Sequence, residues 1–292
     1  MYELVQVAEN TYYIESPAKM GIYKLNDQEV CLIDSGNDKD AGKKVLRILE
    51  EQGWTLKYVI NTHSNADHVG GNALLQQRVG VPAYTSGIEA CFNRFPVLEP
   101  SFLYGGYPCK DLRNKFLMAQ PSDAQDLNQV RLPDGMEIIE LPGHYFGMIG
   151  VKTPDQVWFL ADCVMGENIL QKYHASFICD VGAYLVTLDT VEILQGKSFI
   201  PAHAPACEDI RPLVAANRAK VLQIIESIKA ICSQPVDSEE VIKKVFDEYQ
   251  LTMDWNQYVL VGSTVRSYLS YLLDQKQLKV EFVENRLLWS VD

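Results

Sequence analysis

The chain has 292 residues, 47% hydrophobic and 22% charged, proportions ordinary for a globular enzyme with a sizeable core. Its 38 acidic residues outnumber 26 basic ones, and the net charge of −12 gives no general attraction to phosphate backbones or anionic lipid. The longest basic runs are the pairs Lys43-Lys44 and Lys243-Lys244, so a small-molecule substrate is expected rather than nucleic acid.

Seven cysteines, at 31, 91, 109, 163, 179, 207 and 232, are scattered and form no C-x-x-C, which argues against a disulfide framework and a structural zinc knuckle. The expected compartment is the reducing cytoplasm. A basic-then-apolar leader and an apolar run of 18 residues are both lacking, so neither ordinary export nor a membrane span is expected.

In chain order, short β-type runs at 4–7, 11–14, 21–25 and 30–34 precede a helical pattern at 38–52. A buried strand follows at 57–61, then a polar cluster, a helix starting near Asp67 and running through Gln77, and a strand at 82–85. Such alternation implies a layered α/β fold. Residues 91–128 break the rhythm, with Phe92, Phe95, Phe102, Tyr104, Tyr107 and Phe116 among prolines and Gly105-Gly106. An irregular segment of this length reads either as a lid or binding loop or as a satellite core.

Strand patterns return at 137–141, 149–153 and 157–160, followed by a helix at 183–195 and a strand at 198–200. Helical patterns then cover 208–232, 238–249 with Ser238 as N-cap, and 259–275. Two final strands, 278–283 and 286–291, flank the turn Glu284-Asn285. Helix, helix, hairpin is the outline of a winged-helix-like module. The expected division is a catalytic domain at 1–206, a linking helix at 207–234 and this module at 235–292, with Pro235 near the boundary.

Ligand-type side chains stand at the ends of hydrophobic runs: Asp34, the cluster His63-Ser64-Asn65-Ala66-Asp67-His68, then His144, Asp162 and His203. Four of the five histidines fall at such positions. Imidazole nitrogens and carboxylate oxygens hold Zn²⁺ or Fe²⁺ at roughly 2.0–2.2 Å, and six or seven of them can hold two ions. Cys163, beside Asp162, reads as core. Tyr145 and the run Lys172-Tyr173-His174 either line a pocket, where tyrosine or histidine donates to a developing oxyanion, or belong to solvated loops.

The arrangement resembles the metallo-β-lactamase superfamily, through Leu32-Ile33-Asp34-Ser35-Gly36, Thr62-His63-Ser64-Asn65-Ala66-Asp67-His68-Val69-Gly70-Gly71, Leu141-Pro142-Gly143-His144, Leu160-Ala161-Asp162 and Pro201-Ala202-His203-Ala204. Five motifs in order over residues 20–205 make the signal specific where one H-x-x-x-x-H would not. The resemblance implies an αββα sandwich with its metals in loops at one edge. It places His63, residue 65 and His144 on a first metal, Asp67, His68 and His203 on a second, Asp162 between them, and Asp34 behind the cluster loop as its orienting group. Hydroxide held between the ions would be the nucleophile, with Asp67 and Asp162 holding it and passing its proton.

Asn65 departs from that pattern, which has histidine there. An amide oxygen binds zinc more weakly than imidazole, so the first site is expected to fill weakly, to favour Mn²⁺ or Fe²⁺, or to stay empty. Two zinc ions of unequal affinity are the preferred outcome. The functional expectation is a metal-dependent hydrolase of a small ester, thioester or lactone, similar to the glyoxalase II-like branch. Alternatives are an iron-dependent oxidation like that of persulfide dioxygenases, and an endoribonuclease-like phosphodiesterase suggested by the C-terminal layout. A non-catalytic scaffold would be expected to have lost several ligands, not one. The expected third helix carries only Arg266 and the bordering Lys276 as positive charges, so packing, lid or homodimer contacts are expected of the module rather than RNA binding.

Overall fold

In the computed structural model, which describes residues 2–291, strands β1 (Glu3–Gln6), β2 (Thr11–Glu15), β3 (Met20–Lys24), β4 (Glu29–Ile33), β5 (Thr55–Ile60), β6 (Ala83–Thr85) and β7 (Ala124–Asp126) form one seven-stranded sheet in chain order. Pairing is antiparallel from β1 to β4 and parallel from β4 to β7. The direction changes where helix α1 (Lys39–Gln52) crosses from β4 to β5, because a parallel pair needs a long crossover. A second sheet has the order β11 (Ser198–Pro201), β10 (Val157–Ala161), β9 (Ile149–Lys152), β8 (Glu137–Glu140).

Alternation along single strands builds the layers. In β4, Val30 and Leu32 face α1 in an outer core with Val45, Ile48 and Leu49, while Cys31 and Ile33 face the second sheet. In β10, Val157 and Phe159 meet them from the other side, and Trp158 and Leu160 turn outward to α7 (Val181–Glu192) and α8 (Arg211–Ile231). Helix, sheet, sheet, helix is the αββα sandwich expected.

Four local expectations change. The helix expected from Asp67 to Gln77 is two short ones, α2 (Ala66–Val69) and α3 (Asn72–Val79), broken at Gly70-Gly71. A Cβ on Gly70 would lie 2.3 Å from the Asn37 backbone and one on Gly71 2.4 Å from the Ser35 carbonyl, so the glycines let the cluster loop seat against the end of β4. The 91–128 segment is partly helical, with α4 (Gly87–Arg94) reaching into it and α5 (Leu98–Tyr104) inside it. Phe92 is buried, but Phe95, Phe102, Tyr104, Tyr107 and Phe116 are exposed, so these aromatics do not make a satellite core. The sequence reading also passed over α6 (Glu167–Tyr173).

After α8 come α9 (Ser238–Glu248), α10 (Trp255–Asp274) and the hairpin β12 (Lys279–Val283) to β13 (Arg286–Ser290). The fourth change concerns capping: α9 is capped by Asp237, not Ser238, and α10 starts at Trp255 under an Asp254 cap rather than at residue 259, because a carboxylate can accept the free N–H groups of a first turn. One apolar cluster runs without a break from Leu141 and Leu160 through Val221 to Val241, Tyr268 and Trp289, so the C-terminal helices share the core of the second sheet's outer face.

Candidate metal centre

Strand ends deliver the ligand-type residues to one edge. Asp34 follows β4, His63 follows β5, Asp162 follows β10 and His203 follows β11, while His144 sits in the β8–β9 connection. Asp34 and Ala161 adopt φ of 60° and 48°, a left-handed backbone uncommon outside glycine that turns the chain sharply at both strand ends. Gly143, at φ 117°, passes so close to α7 that a Cβ would lie 2.3 Å from the Tyr184 nitrogen. That contact sets the loop carrying His144.

Each of the four imidazoles is held from behind through Nδ1. His68 Nδ1–H donates to Asp34 Oδ2 at 2.8 Å. His63 Nδ1–H donates to Thr62 Oγ1 at 3.1 Å, and that hydroxyl donates to the same Asp34 oxygen at 2.7 Å. Asp34 Oδ1 accepts from the Thr62 backbone N–H at 2.8 Å. His144 Nδ1–H donates to the Phe177 carbonyl at 3.0 Å and His203 Nδ1–H to the Pro17 carbonyl at 2.9 Å. All four Nε2 atoms thereby face the edge, the orientation a metal ligand requires.

The Nε2 atoms surround Asp162. Its Oδ1 lies 3.1 Å from His68 Nε2, and its Oδ2 lies 3.3 Å from His203 and 3.5 Å from His144. Asp67 Oδ2 is 3.2 Å from His203 Nε2. Two groups of candidate ligands result, His63 with His144 and Asp162, and Asp67 with His68 and His203. His63 Nε2 is buried with no hydrogen-bond partner among the described residues, and His68 Nε2 and Asp162 Oδ1 face each other without hydrogen-bond alignment. Leaving such atoms unpaired costs about 1–3 kcal/mol each, a cost that a divalent cation bound between them removes. The residues present therefore fit a divalent metal.

Asn65, at the start of α2, points its Oδ1 at His144 Nε2, 3.1 Å away, and donates from Nδ2 to Glu99 Oε1 at 2.9 Å. With Nδ1 of His144 already donating, Oδ1 and Nε2 present two lone pairs to each other. Their spacing matches the roughly 3.0–3.4 Å between neighbouring ligands of one ion bound at about 2.1 Å.

The two groups differ electrostatically. Burial alone would lower the His203 pKa, but the charge of Asp162 and hydrogen bonds to Asp162 and Asp67 raise it to about 10. His68 is likewise held well above its usual value, burial being outweighed by Asp162, Asp34 and Asp67. Asp67 and Asp162 are held below the usual carboxylate range, against burial, by His68 and His203. His63 is pushed well below its usual value, by burial and then by the like charge of His68; His144 is also lowered, by burial, which Asp162 offsets only in part.

The other expected site residues divide. Tyr145 is fully buried, its ring 6.1 Å from that of His63 and packed on Phe92, and its hydroxyl has no hydrogen-bond partner among the described residues. His174 does not join the centre. It closes α6 with its ring stacked on Tyr249 and its Nδ1 3.2 Å from Lys220 Nζ on α8, so the chain turns it toward the C-terminal helices. Lys172 lies over the Tyr173 ring.

Two buried acids escaped the sequence reading. Glu89 of α4 accepts from the Ser64 backbone N–H at 3.0 Å and the Gly147 N–H at 2.7 Å, tying the cluster loop to the His144 loop. Glu99 of α5 holds Asn65, its Oε1 accepting from the amide at 2.9 Å; burial, then the like charge of Asp67, pushes its carboxyl well above the usual range. The available signal was helical spacing, since Glu89 shares a face with Phe92 and Asn93.

Comparisons with known proteins bear on the family and the fold. Residues 7–160 match the family described as the metallo-beta-lactamase superfamily. The chain is similar to a hydroxyacylglutathione hydrolase of Cereibacter sphaeroides, 32% identical over 122 residues that cover 41% of this chain and 39% of that protein. A hydroxyacylglutathione hydrolase of Rhizobium meliloti is 26% identical over 200 residues, 65% of this chain and 67% of that protein. The chain thus spans about two fifths of the length of the first of these relatives. Among solved structures, a beta-lactamase domain protein from Burkholderia ambifaria superposes with a TM-score of 0.78 at 16% identity, covering 99% of this chain and 94% of that one. A metallo-beta-lactamase family protein from Thermus thermophilus gives 0.70 at 15% identity, covering 100% and 98%. At these identities the structural likeness is one of fold.

Proposed function

The chain belongs to the metallo-beta-lactamase superfamily, and from that premise we propose that it is a two-metal hydrolase of a small thioester, with related esters and lactones as further substrates. The observation that carries the reading is the convergence of four imidazole Nε2 atoms around one buried carboxylate, Asp162. His63, Asn65 and His144 would hold one divalent ion and Asp67, His68 and His203 the other, with Asp162 facing both. Zinc is the proposed ion. Ions so held supply Lewis acidity, bringing the pKa of water toward about 7 and polarising an attacked carbonyl.

The residues around the ions do the rest. Asp67, 39% exposed, is the acidic group that meets solvent and would hold and orient the attacking water beside the ions. Asp34 holds the His68 ring and, through Thr62, the His63 ring so that Nε2 faces the ions. A cavity of about 760 Å³ adjoins the His144 loop, lined by Phe102, Tyr145, Phe146 and Phe177 on one side and by Arg266 and Tyr271 on the other, and would take the organic part of the substrate. Similarity to hydroxyacylglutathione hydrolases supports the thioester assignment. The test is metal-stripped protein assayed on thioester, ester and lactone panels before and after adding zinc. Hydrolysis that appears only with metal supports the reading, and equal rates with and without it refute it.

A second reading has its own observation. His63, His144 and Asp162 form a two-histidine, one-carboxylate group of the kind that holds non-haem iron, which supports an iron-dependent oxidation of a persulfide. Oxygen uptake on a persulfide by iron-loaded protein would favour it. For 235–292 we propose a packing module fixed to the 1–206 body by the 207–234 helix, because their apolar cluster is continuous. RNA is not favoured, since Arg266 on α10 is engaged with Glu239 at 2.6 Å. Seven free cysteines suit a cytoplasmic location, and no helix among the described residues is long and apolar enough to cross a membrane.

A further inference from the structure

We infer that Glu99 is a positioning residue for the first metal site, holding the Asn65 amide with its oxygen turned inward so that Asn65 can serve as a ligand. The inference rests on the two-metal reading above and adds the residue that makes its weak side usable. An asparagine amide has two ends of nearly equal size, and only the oxygen end can meet a cation. In the metal-free chain the competing orientation is attractive. A flipped amide would donate N–H to the free lone pair of His144 Nε2, 3.1 Å away, and so block two ligands at once.

Little else opposes that flip. Asn65 stands at the N-terminal end of α2 but makes no side-chain capping bond there. The contact that selects the inward oxygen is the 2.9 Å hydrogen bond from Nδ2 to Glu99 Oε1. Glu99 is only 6% exposed and sits in the first turn of α5, a helix outside every ligand motif. Its relation to Asn65 parallels that of Asp34 to His68, a buried carboxylate behind a ligand, fixing which atom the ligand presents. The 91–128 segment thus reaches the metal centre through this one buried carboxyl.

The test is a zinc titration of the metal-stripped full chain against a chromophoric chelator, for wild type, Glu99→Met, Glu99→Gln, Asn65→Ala and the Glu99→Met/Asn65→Ala double variant. Wild type should take zinc in a tight and a weak step. Glu99→Met should weaken the weak step by about 10–100-fold and leave the tight step in place, which also reports that the variant is folded. Glu99→Gln, which keeps an acceptor oxygen, should stay near wild type. Adding Glu99→Met to Asn65→Ala should cost nothing more. An unchanged weak step in Glu99→Met, a Glu99→Gln as weak as Glu99→Met, an additive double variant or a loss of both steps together would each overturn the inference. A wild type that takes a single zinc would instead overturn the two-metal reading beneath it.

Discussion

The two groups of candidate metal ligands are built from opposite electrostatics. The Asp67, His68, His203 half is charge-paired: without metal its histidines keep their protons against Asp67 and Asp162, and an entering ion must displace them. The His63, Asn65, His144 half is built from groups that burial keeps neutral, and it offers lone pairs without proton release but with less charge. Exposure does not follow the same line: His203 and Asp67 are 19% and 39% exposed, but His68 of their half is as fully buried as His63 of the other. On the two-metal reading proposed above, the Asp67 half would be a tight site that must shed protons and the His63 half a weak one ready to bind, sharing the Asp162 carboxylate.

Removing the shared group should do most damage. Asp162→Ala should lower kcat/KM by more than about 100-fold, beyond the roughly 10–100-fold typical of residues standing behind ligands, and should reduce zinc content at both sites. If only one site lost zinc, Asp162 would belong to that half alone. Asn65→His tests the difference itself: it should tighten the weak step by about 10–100-fold and narrow the gap between the two, read by zinc titration. A wider gap would mean the amide is the better ligand here. The smallest effect is expected from Tyr145→Phe. Its hydroxyl is buried and unpaired among the described residues, so thermal unfolding of the metal-free chain should be unchanged or higher by about 1 kcal/mol; a loss of that size would reveal a partner for the hydroxyl.

Much of this was legible in the sequence, for physical reasons. The unbroken apolar run Val30-Cys31-Leu32-Ile33 announces a strand buried on both faces, and ligand-type residues directly after such strands must lie at a sheet edge. Asn65 was visible as the odd position because the motif around it was otherwise complete. What stayed hidden depends on contacts between distant segments. Glu99 meets Asn65 across 34 residues and Glu89 meets Gly147 across 58, and helical spacing, which can put Glu89 on a buried face, names neither partner. His174 misled for the same reason, since its proximity in sequence to the Asp162 loop says nothing of a turn that leaves its ring on Tyr249. The segment at 91–128 looked irregular because prolines and glycines separate helices as short as α5.

The asymmetry is tested most directly by calorimetric zinc titration of the metal-stripped chain in buffers of different ionisation enthalpy, at several pH values. The account predicts two steps. The tight one should release protons, and its affinity should climb as pH rises toward about 10, where His203 would give up its proton unaided. The weak step should release fewer protons and depend less on pH. Two equal steps with the same proton release, or a single step, would contradict it.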